Sequence, residues 1–376
     1  MMKKKNIALS TAIAGCISLV GCASAPKAPP AFDPNASALA QAATFIADNG
    51  KTKALKDIKR VVVTGCNVLF AENSAASAAT GDGMFAMHSG AGSSRVDSTV
   101  SVIYTLKGVS DAQQQKMANE ICAGAETRLR AAGFEVVPTA EALKADAFKA
   151  LLAAGKQSPF NFKSPGKNNK TTYNIFAPTG YTVYDQRYLG TVGGLGQAFK
   201  AAAGNSAVQM EGLLMKQLNA SAVSINVMVD FAQLQSDGKQ SGWSGKNSAN
   251  VSHGVSLGIT GLIDIKPLDQ LKCWKRFGKE ECMLNGVTPT FVSKLPVTTN
   301  EKFYSDITNA TTTGDKVAAG FTKTLATLSA LSGTNSRSFE TTRYQVNAQP
   351  AAFEKATNQG VNGFLDMAFI YAKSKQ

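Results

Sequence analysis

The sequence predicts an α/β fold, with a mixed β-sheet and packed helices in one elaborated domain; an α+β arrangement is the alternative. A β-branched run at residues 58–70 is typical of a strand buried on both faces. Residues 223–231 and 251–265 alternate apolar and polar side chains, which predicts a long β-hairpin. Residues 110–133 and 206–218 carry apolar side chains at helical spacing.

Residues 1–21 have the features of a secretory signal peptide. Lys3, Lys4 and Lys5 provide a positive start, and an apolar stretch follows at residues 7–20. That stretch is shorter than the roughly 20 apolar residues that a membrane-spanning helix needs. We therefore expect residues 1–21 to be removed during export.

The signal ends in Leu19, Val20, Gly21 and Cys22, a run that resembles the lipobox of bacterial lipoproteins. The resemblance implies cleavage before Cys22 and acylation of its thiol, with each buried methylene contributing about 0.8 kcal/mol to membrane attachment. Ala23 replaces the aspartate that retains lipoproteins in the inner membrane, which implies the outer membrane, and we favour its periplasmic side. An ordinary secretory signal with a coincidental cysteine is the alternative.

The mature chain divides into a tether and a body. Residues 22–40 are predicted to be a lipidated, proline-rich tether, because four prolines there favour extended chain: Pro26, Pro29, Pro30 and Pro34. Residues 41–376 are predicted to be the α/β periplasmic domain. That length suits one large domain or two ordinary ones, and no linker divides it.

The charge of the body favours anionic partners. Loss of Lys3, Lys4 and Lys5 lowers the formal charge from +13 to +10 (13 − 3), which is still strongly basic. In the envelope this favours an envelope protein or an anionic envelope polymer, besides the membrane reached through the lipid anchor. Export excludes nucleic acid as the partner, and a homo-oligomer stays open.

Cysteine usage fits an oxidising compartment. Cys16 leaves with the signal and Cys22 is acylated, so an even number remains for disulfides. A bridge can close the short segment 273–282, and a helix packed on a strand can join the second pair. Buried free thiols are the alternative. The four remaining residues are Cys66, Cys122, Cys273 and Cys282.

Two helices carry recognisable start signals. Ser110 with Gln113, and Ser206 with Gln209, have the spacing of capping boxes. Gly133 suits the left-handed position at the end of the first helix. The predicted buried faces are Met117, Ile121, Ala125 and Leu129 in the first helix, and Met210, Leu214 and Leu218 in the second.

The remaining elements follow from shorter patterns. Strands are predicted at 99–107, 134–137 and 339–346, helices at 139–155, at 315–331 and from Pro350, and loops at 72–94, 156–170 and 235–250. Residues 173–188 are predicted to form an aromatic-rich hairpin or an exposed loop.

The bridged segment is the candidate partner contact. A disulfide preorganises it, and Trp, Phe and Arg supply much of the binding energy at interfaces. The proposed contact residues are Trp274, Lys275, Arg276, Phe277 and Lys279. The alternative is a structural hairpin whose Trp274 packs inward.

Catalytic and cofactor patterns are sparse. His88 and His253 have no metal-ligating neighbours at suitable spacing, so structural roles are favoured. The glycine-rich run at 190–196 lacks the lysine and hydroxyl pair of a P-loop and the dinucleotide spacing. We expect no cofactor, no metal and no catalytic set. Asp230 and Asp264, at the ends of neighbouring predicted strands, leave a hydrolase open.

The element order over residues 58–265 resembles two groups of outer-membrane lipoproteins: the curli secretion channel and the lipoprotein activators of peptidoglycan synthases. This implies a compact α/β periplasmic domain. Insertions at 72–98 and 156–205 depart from the pattern, and no shared motif carries a functional residue across.

A non-enzymatic envelope lipoprotein that binds or assembles a partner is the function expected from these patterns. A subunit of an oligomeric export channel is the first alternative, because the second strand of the hairpin at 223–265 reaches the roughly 9–11 residues of a membrane-barrel strand. A periplasmic hydrolase is the second alternative.

Overall fold

The predicted mixed sheet and its long hairpin are both present. The computed structural model describes residues 30–79, 96–164, 169–184, 206–239, 248–319, 323 and 336–376. Within it, Phe32–Gln376 is one compact unit. The body is therefore a single α/β domain.

The labelled α-helices are α1 (Ala38–Phe45), α2 (Asp111–Ala131), α3 (Thr139–Ala142), α4 (Asp146–Ala154), α5 (Ala207–Leu218) and α6 (Pro350–Ser374), and residues 313–319 are also helical. The first strands are β1 (Ile46–Asp48), β2 (Arg60–Ala79), β3 (Val96–Lys107), β4 (Glu135–Val136), β5 (Phe160–Lys163), β6 (Asn169–Phe176) and β7 (Ser221–Lys239). The others are β8 (Ser248–Lys266), β9 (Leu271–Arg276), β10 (Lys279–Leu284), β11 (Thr290–Ser293), β12 (Val297–Thr298), β13 (Tyr304–Asn309) and β14 (Ser336–Ala348).

The main sheet has twelve strands, eight of which follow the order β1-β11-β8-β7-β2-β3-β14-β13. β4 and β6 also pair with β2, β5 pairs with β6, and β12 pairs with β8. β9 and β10 form a separate two-stranded ribbon. The sheet is mixed because β2 runs parallel to β7, and β3 parallel to β14.

Strand β2 changes partner along one edge. Residues 61–70 pair with β7, whereas residues 73–79 pair with β3. β6 pairs with residues 68–76 and so occupies the other edge of the strand. The far half of the β7–β8 hairpin therefore leaves β2 and lies against β3, where Tyr104 Oη and His253 Nδ1 are 2.6 Å apart.

Helices cover both faces of the sheet. On one face α6 packs with α1 and α2, and Phe364 lies directly over Gly261 of β8, where a side chain would collide with the ring. On the other face α4 and α5 form a second core with β2, built from Val62, Phe148, Leu151 and Leu214. The domain thus has three layers.

Both predicted capping boxes are confirmed. Ser110 Oγ accepts from the Gln113 amide at 3.3 Å, and Ser206 Oγ accepts from the Gln209 amide at the same distance. Gly133 adopts the expected left-handed backbone at φ 95°. The predicted buried face of α2 is buried throughout.

Several predicted boundaries were wrong. The loops predicted at 72–94 and 235–250 are partly strand, because β2 continues to Ala79 and β7 to Lys239. The predicted helix at 139–155 is two helices, α3 and α4, separated by extended backbone at Ala145. The predicted loop at 156–170 contains β5 and the start of β6. In each longer strand, pairing with neighbouring strands outweighs the weak strand propensity of Ala, Ser and Gly.

Ordered structure also begins inside the predicted tether. α1 starts at Ala38, and the rings of Phe32 and Phe45 pack edge to face at 6.2 Å. Phe32 also lies over Gly363 of α6. The segment before Pro30 lies outside the described residues.

Candidate functional site

The candidate site is a two-stranded ribbon, β9–β10, that we call the tip hairpin (residues 271–284). Its pairing runs from Leu271 with Leu284 to Arg276 with Lys279. Phe277 and Gly278 form the turn, and both have left-handed backbone, with φ of 49° and 77°. These angles define a type I′ turn, in which Asn and Gly are the favoured residues and Phe is unusual.

Both predicted disulfides are present. Cys273 and Cys282 face each other across the ribbon with Cα atoms 4.1 Å apart, as expected for a non-hydrogen-bonded antiparallel pair. Cys66 on β2 and Cys122 on α2 are also joined, with Cα atoms 5.9 Å apart. The first bond fixes the register of the tip hairpin, and the second fastens α2 to the central strand.

The tip hairpin is held on α5 through its acidic strand. Gln209 Nε2 donates to Glu281 Oε2 at 3.1 Å, and this carboxylate is buried. At the neighbouring residue of β10, Glu280 pairs with Lys216 of α5. Both carboxylates of β10 thus contact α5: Glu280 is paired with a cation, and Glu281 is buried against an amide.

All five predicted contact residues lie on the surface. Phe277 is 90% exposed and Trp274 is 41% exposed, so the alternative of an inward-packed Trp274 is not observed. The Arg276 guanidinium lies 5.4 Å from the centre of the Phe277 ring, within cation–π range. The exposed cations of the ribbon are Lys272, Lys275, Arg276 and Lys279. The surface is therefore aromatic at its apex and cationic around it.

A cavity of about 280 Å³ lies beside the Cys66–Cys122 bond. α2 contributes Glu126 to its lining, and Thr139 and Tyr181 come from distant parts of the chain. The Thr139 hydroxyl donates to Glu126, which also pairs with Arg130. Burial raises the pKa of Tyr181, and the negative charge of Glu126 raises it further. A hydrogen bond with Thr139 opposes this rise. These polar groups bond one another, and no spacing in the sequence signals the cavity.

Asp230 and Asp264 do not form a catalytic pair, and the predicted strand-end position is wrong for Asp230, which lies in the middle of β7. Asp264 is opposite Ser224 in the sheet, six positions from Asp230 along β7 (230 − 224 = 6). At about 3.4 Å per residue this separates them by about 20 Å, too far for paired carboxylate chemistry. Burial raises the pKa of Asp230 to about 6, and a hydrogen bond from Tyr173 Oη at 2.8 Å opposes that rise.

The two histidines have different outcomes. His253 lies on β8 in an aromatic cluster with Tyr104 and Tyr344, whose rings stack 4.9 Å apart. Burial raises the pKa of Tyr104 to about 12, with further contributions from Tyr344 and Tyr304. His88 lies outside the described residues. In the described ranges, no three His, Cys, Asp or Glu side chains are grouped as metal ligands.

The signal segment and the lipidation residue Cys22 lie outside the described residues. The glycine-rich run at 190–196 lies outside them as well. Most of the predicted helix at 315–331 does too. Among the helices that the structure describes, none has the length and apolar character needed to cross a bilayer.

Comparison with known proteins found no matching family model, no matching curated protein and no matching solved structure. Neither fold nor function is therefore inherited from a relative.

Proposed function

We propose that this protein is a non-enzymatic lipoprotein of the bacterial outer membrane, acylated on Cys22, facing the periplasm, and binding or assembling a partner through the tip hairpin. The observation that carries the proposal is the 90% exposure of Phe277 at the apex of a disulfide-closed ribbon. Large aromatic side chains at an exposed, preorganised tip are typical of binding surfaces.

Further observations support it. Residues 19–22 resemble a lipobox. The chain that remains after removal of the leader has a net charge of +10 (13 − 3). The two disulfides suit an oxidising compartment. Asp230 and Asp264 are separated in the sheet, which removes the one pair of acids on which a hydrolase was considered.

A capture experiment tests the proposal. The full-length chain and its Phe277→Asn variant are purified from detergent-solubilised envelopes, with Ile307→Asn on β13 as the matched control at another exposed apolar position. We expect partner recovery from the parent and the control and a marked loss with Phe277→Asn. Recovery of only this chain, or equal recovery with all three, would overturn the proposal. Mass spectrometry of the N-terminal peptide tests acylation of Cys22 in the same material.

A subunit of an oligomeric export channel is the second candidate. β7 and β8 have 19 residues each and pair from Ala222 with Lys266 to Lys239 with Ser248. At about 3.3 Å per residue, each strand measures about 60 Å, twice the hydrocarbon thickness of a bilayer. A mass measurement on the mature chain carrying Cys22→Ser distinguishes the candidates: a large ring with conductance in bilayers supports the channel, and a monomer without conductance excludes it.

A further inference from the structure

The apex residue of the tip hairpin has a backbone conformation that its residue type rarely adopts. Phe277 holds φ at 49°, a conformation that side chains other than Asn, Asp and Gly rarely adopt. The ring is exposed to solvent rather than packed, so nothing within the hairpin compensates for the backbone cost beyond the Arg276 contact. Retained strain at an exposed aromatic residue points to a use for that ring outside the domain.

One face of the ribbon continues the apolar surface. Opposed residues in an antiparallel pair share a face, and Trp274 is two positions from both Lys272 and Arg276, so these three lie together. Met283, opposite Lys272, belongs to the same face and is 36% exposed. Glu281, opposite Trp274, also belongs to this face but is buried against α5. The exposed apolar side chains of the tip hairpin are therefore Trp274, Met283 and, at the turn, Phe277.

Cationic side chains surround these apolar residues. In the described part of the chain, no ion pair joins a carboxylate to any of Lys272, Lys275, Arg276 and Lys279. The acids of the same ribbon are held by α5, Glu281 through Gln209 and Glu280 through Lys216. The tip therefore presents an apolar apex within a ring of positive charge.

From this geometry we infer that the tip hairpin inserts into the interface of an anionic lipid bilayer. This inference rests on the proposed function and names the class of its partner. Aromatic rings partition to the boundary between headgroups and acyl chains, and Lys and Arg bind anionic headgroups. A protruding apolar side chain at a tight turn suits insertion into a soft, fluid surface. In the proposed lipoprotein, Phe32 lies within about 35 Å of the acylated residue, because ten residue steps separate it from Cys22 (32 − 22).

Vesicle binding tests the inference without the acyl anchor. The mature chain, residues 22–376 with Cys22→Ser and Trp243→Phe, retains Trp274 as its one tryptophan, since the sequence has two. We expect its emission to shift to the blue with vesicles containing phosphatidylglycerol, with quenching by brominated acyl chains, and no shift with pure phosphatidylcholine vesicles. Phe277→Asn should weaken binding about tenfold or more, since a phenyl ring is no longer buried.

Two comparisons separate a loss of vesicle binding from a loss of folding or of overall charge. Asn is favoured in the type I′ turn, so Phe277→Asn keeps the hairpin folded while removing the ring. Lys275→Glu with Lys279→Glu should weaken vesicle binding several-fold at low salt, whereas Lys51→Glu with Lys53→Glu, the same charge change at exposed positions elsewhere, should change it little.

The outcomes separate the inference from the proposed function. Absence of a Trp274 shift with phosphatidylglycerol vesicles, or equal binding by the Phe277→Asn variant, overturns lipid insertion. If envelope capture of a protein is still lost with Phe277→Asn, the tip hairpin docks on a protein, and the proposed function stands without this inference. If Phe277→Asn changes neither vesicle binding nor envelope capture, both the lipid inference and the proposed function are overturned.

Discussion

Gly212 of α5 lies directly beneath the backbone of Cys282. A β-carbon at position 212 would come within 2.8 Å of the Cys282 carbonyl carbon and closer still to its oxygen. The absence of a side chain therefore lets the tip hairpin lie flat on the helix. The same contact brings Glu281 within reach of Gln209.

Gly212→Ala should separate the hairpin from α5. The overlap is with backbone, which cannot move aside, so we expect the free energy of unfolding to fall by about 1–2 kcal/mol despite the better helix propensity of Ala. Chemical denaturation measures the change. Gly124→Ala in α2 is the matched control, because the nearest atom there is the end of a long side chain, Arg128 Nη1 at 2.9 Å, and not backbone. We expect that control to gain about 0.5–1 kcal/mol; equal losses in both variants would contradict the account.

The two disulfides should differ in their effects. Cys66 and Cys122 close a loop of 56 residues, and replacing both with Ala should cost about 4 kcal/mol of global stability in the chain-entropy model. Cys273 and Cys282 close a loop of only nine, so the same change should cost at most about 2–3 kcal/mol. Thermal unfolding measures the first effect.

The second effect is measured by partner binding. Loss of the Cys273–Cys282 bond leaves the tip hairpin less ordered, so we expect weaker binding and a smaller loss of global stability than the loss of the Cys66–Cys122 bond causes. A large loss of global stability from this pair, with unchanged binding, would show that the tip hairpin serves the core and not a contact surface.

Asp230 makes stability depend on pH. Burial raises its pKa to about 6, whereas in the unfolded chain the value is about 3.9. The folded state thus holds the proton more tightly, and this carboxyl group lowers stability as pH rises from about 4 to about 6. Asp230→Asn should therefore be more stable than the parent by about 1–3 kcal/mol above that window and similar below it.

Urea unfolding of the parent and Asp230→Asn on either side of that window checks this pH dependence. Tyr173→Phe is the companion variant, because the Tyr173 hydroxyl donates to Asp230 and opposes the rise of its pKa. We expect the Tyr173→Phe protein to lose more stability than the parent over the same pH range. A gain from Asp230→Asn that does not vary with pH would be inconsistent with a buried, titrating carboxyl group.

A buried ion pair joins α5 to the sheet. Lys266 Nζ lies 2.6 Å from Glu211 Oε2, and the Thr64 hydroxyl donates to the other oxygen at 2.6 Å. Lys266→Met alone leaves a buried, unpaired carboxylate and should cost about 3–5 kcal/mol. Adding Glu211→Gln should recover most of that loss, because no charge is left unpaired. Denaturation of the single and double variants measures the recovery, and additive losses would contradict this interpretation.

Local signals predicted the local structure well. The capping boxes at Ser110 and Ser206 fixed two helix starts, and regular alternation identified β3 and the central parts of β7 and β8. The extension of β2 to Ala79 had no such signal, since its Ala and Ser residues become strand only by pairing with β3 and β6. Strand length was set by tertiary pairing, which propensity does not encode.

The candidate site was predictable in part. Cysteine spacing indicated a disulfide-closed loop at 273–282, and its composition indicated a contact surface, whereas its two-stranded pairing was only an alternative. The left-handed turn at Phe277 was not foreseen, because Phe-Gly is not a usual type I′ pair. The docking of Glu281 on Gln209 joins segments 72 residues apart, and no periodic pattern reports such a contact.

A photoreactive side chain at position 277 of the full-length, natively processed chain tests the central claim most directly. Illumination in intact cells should give strong adducts with an envelope component from position 277 and far weaker ones from position 307 on β13, an exposed apolar position at the end of the sheet order. Equal adducts from the two positions, or none from position 277, would contradict the assignment of the tip hairpin as the contact surface.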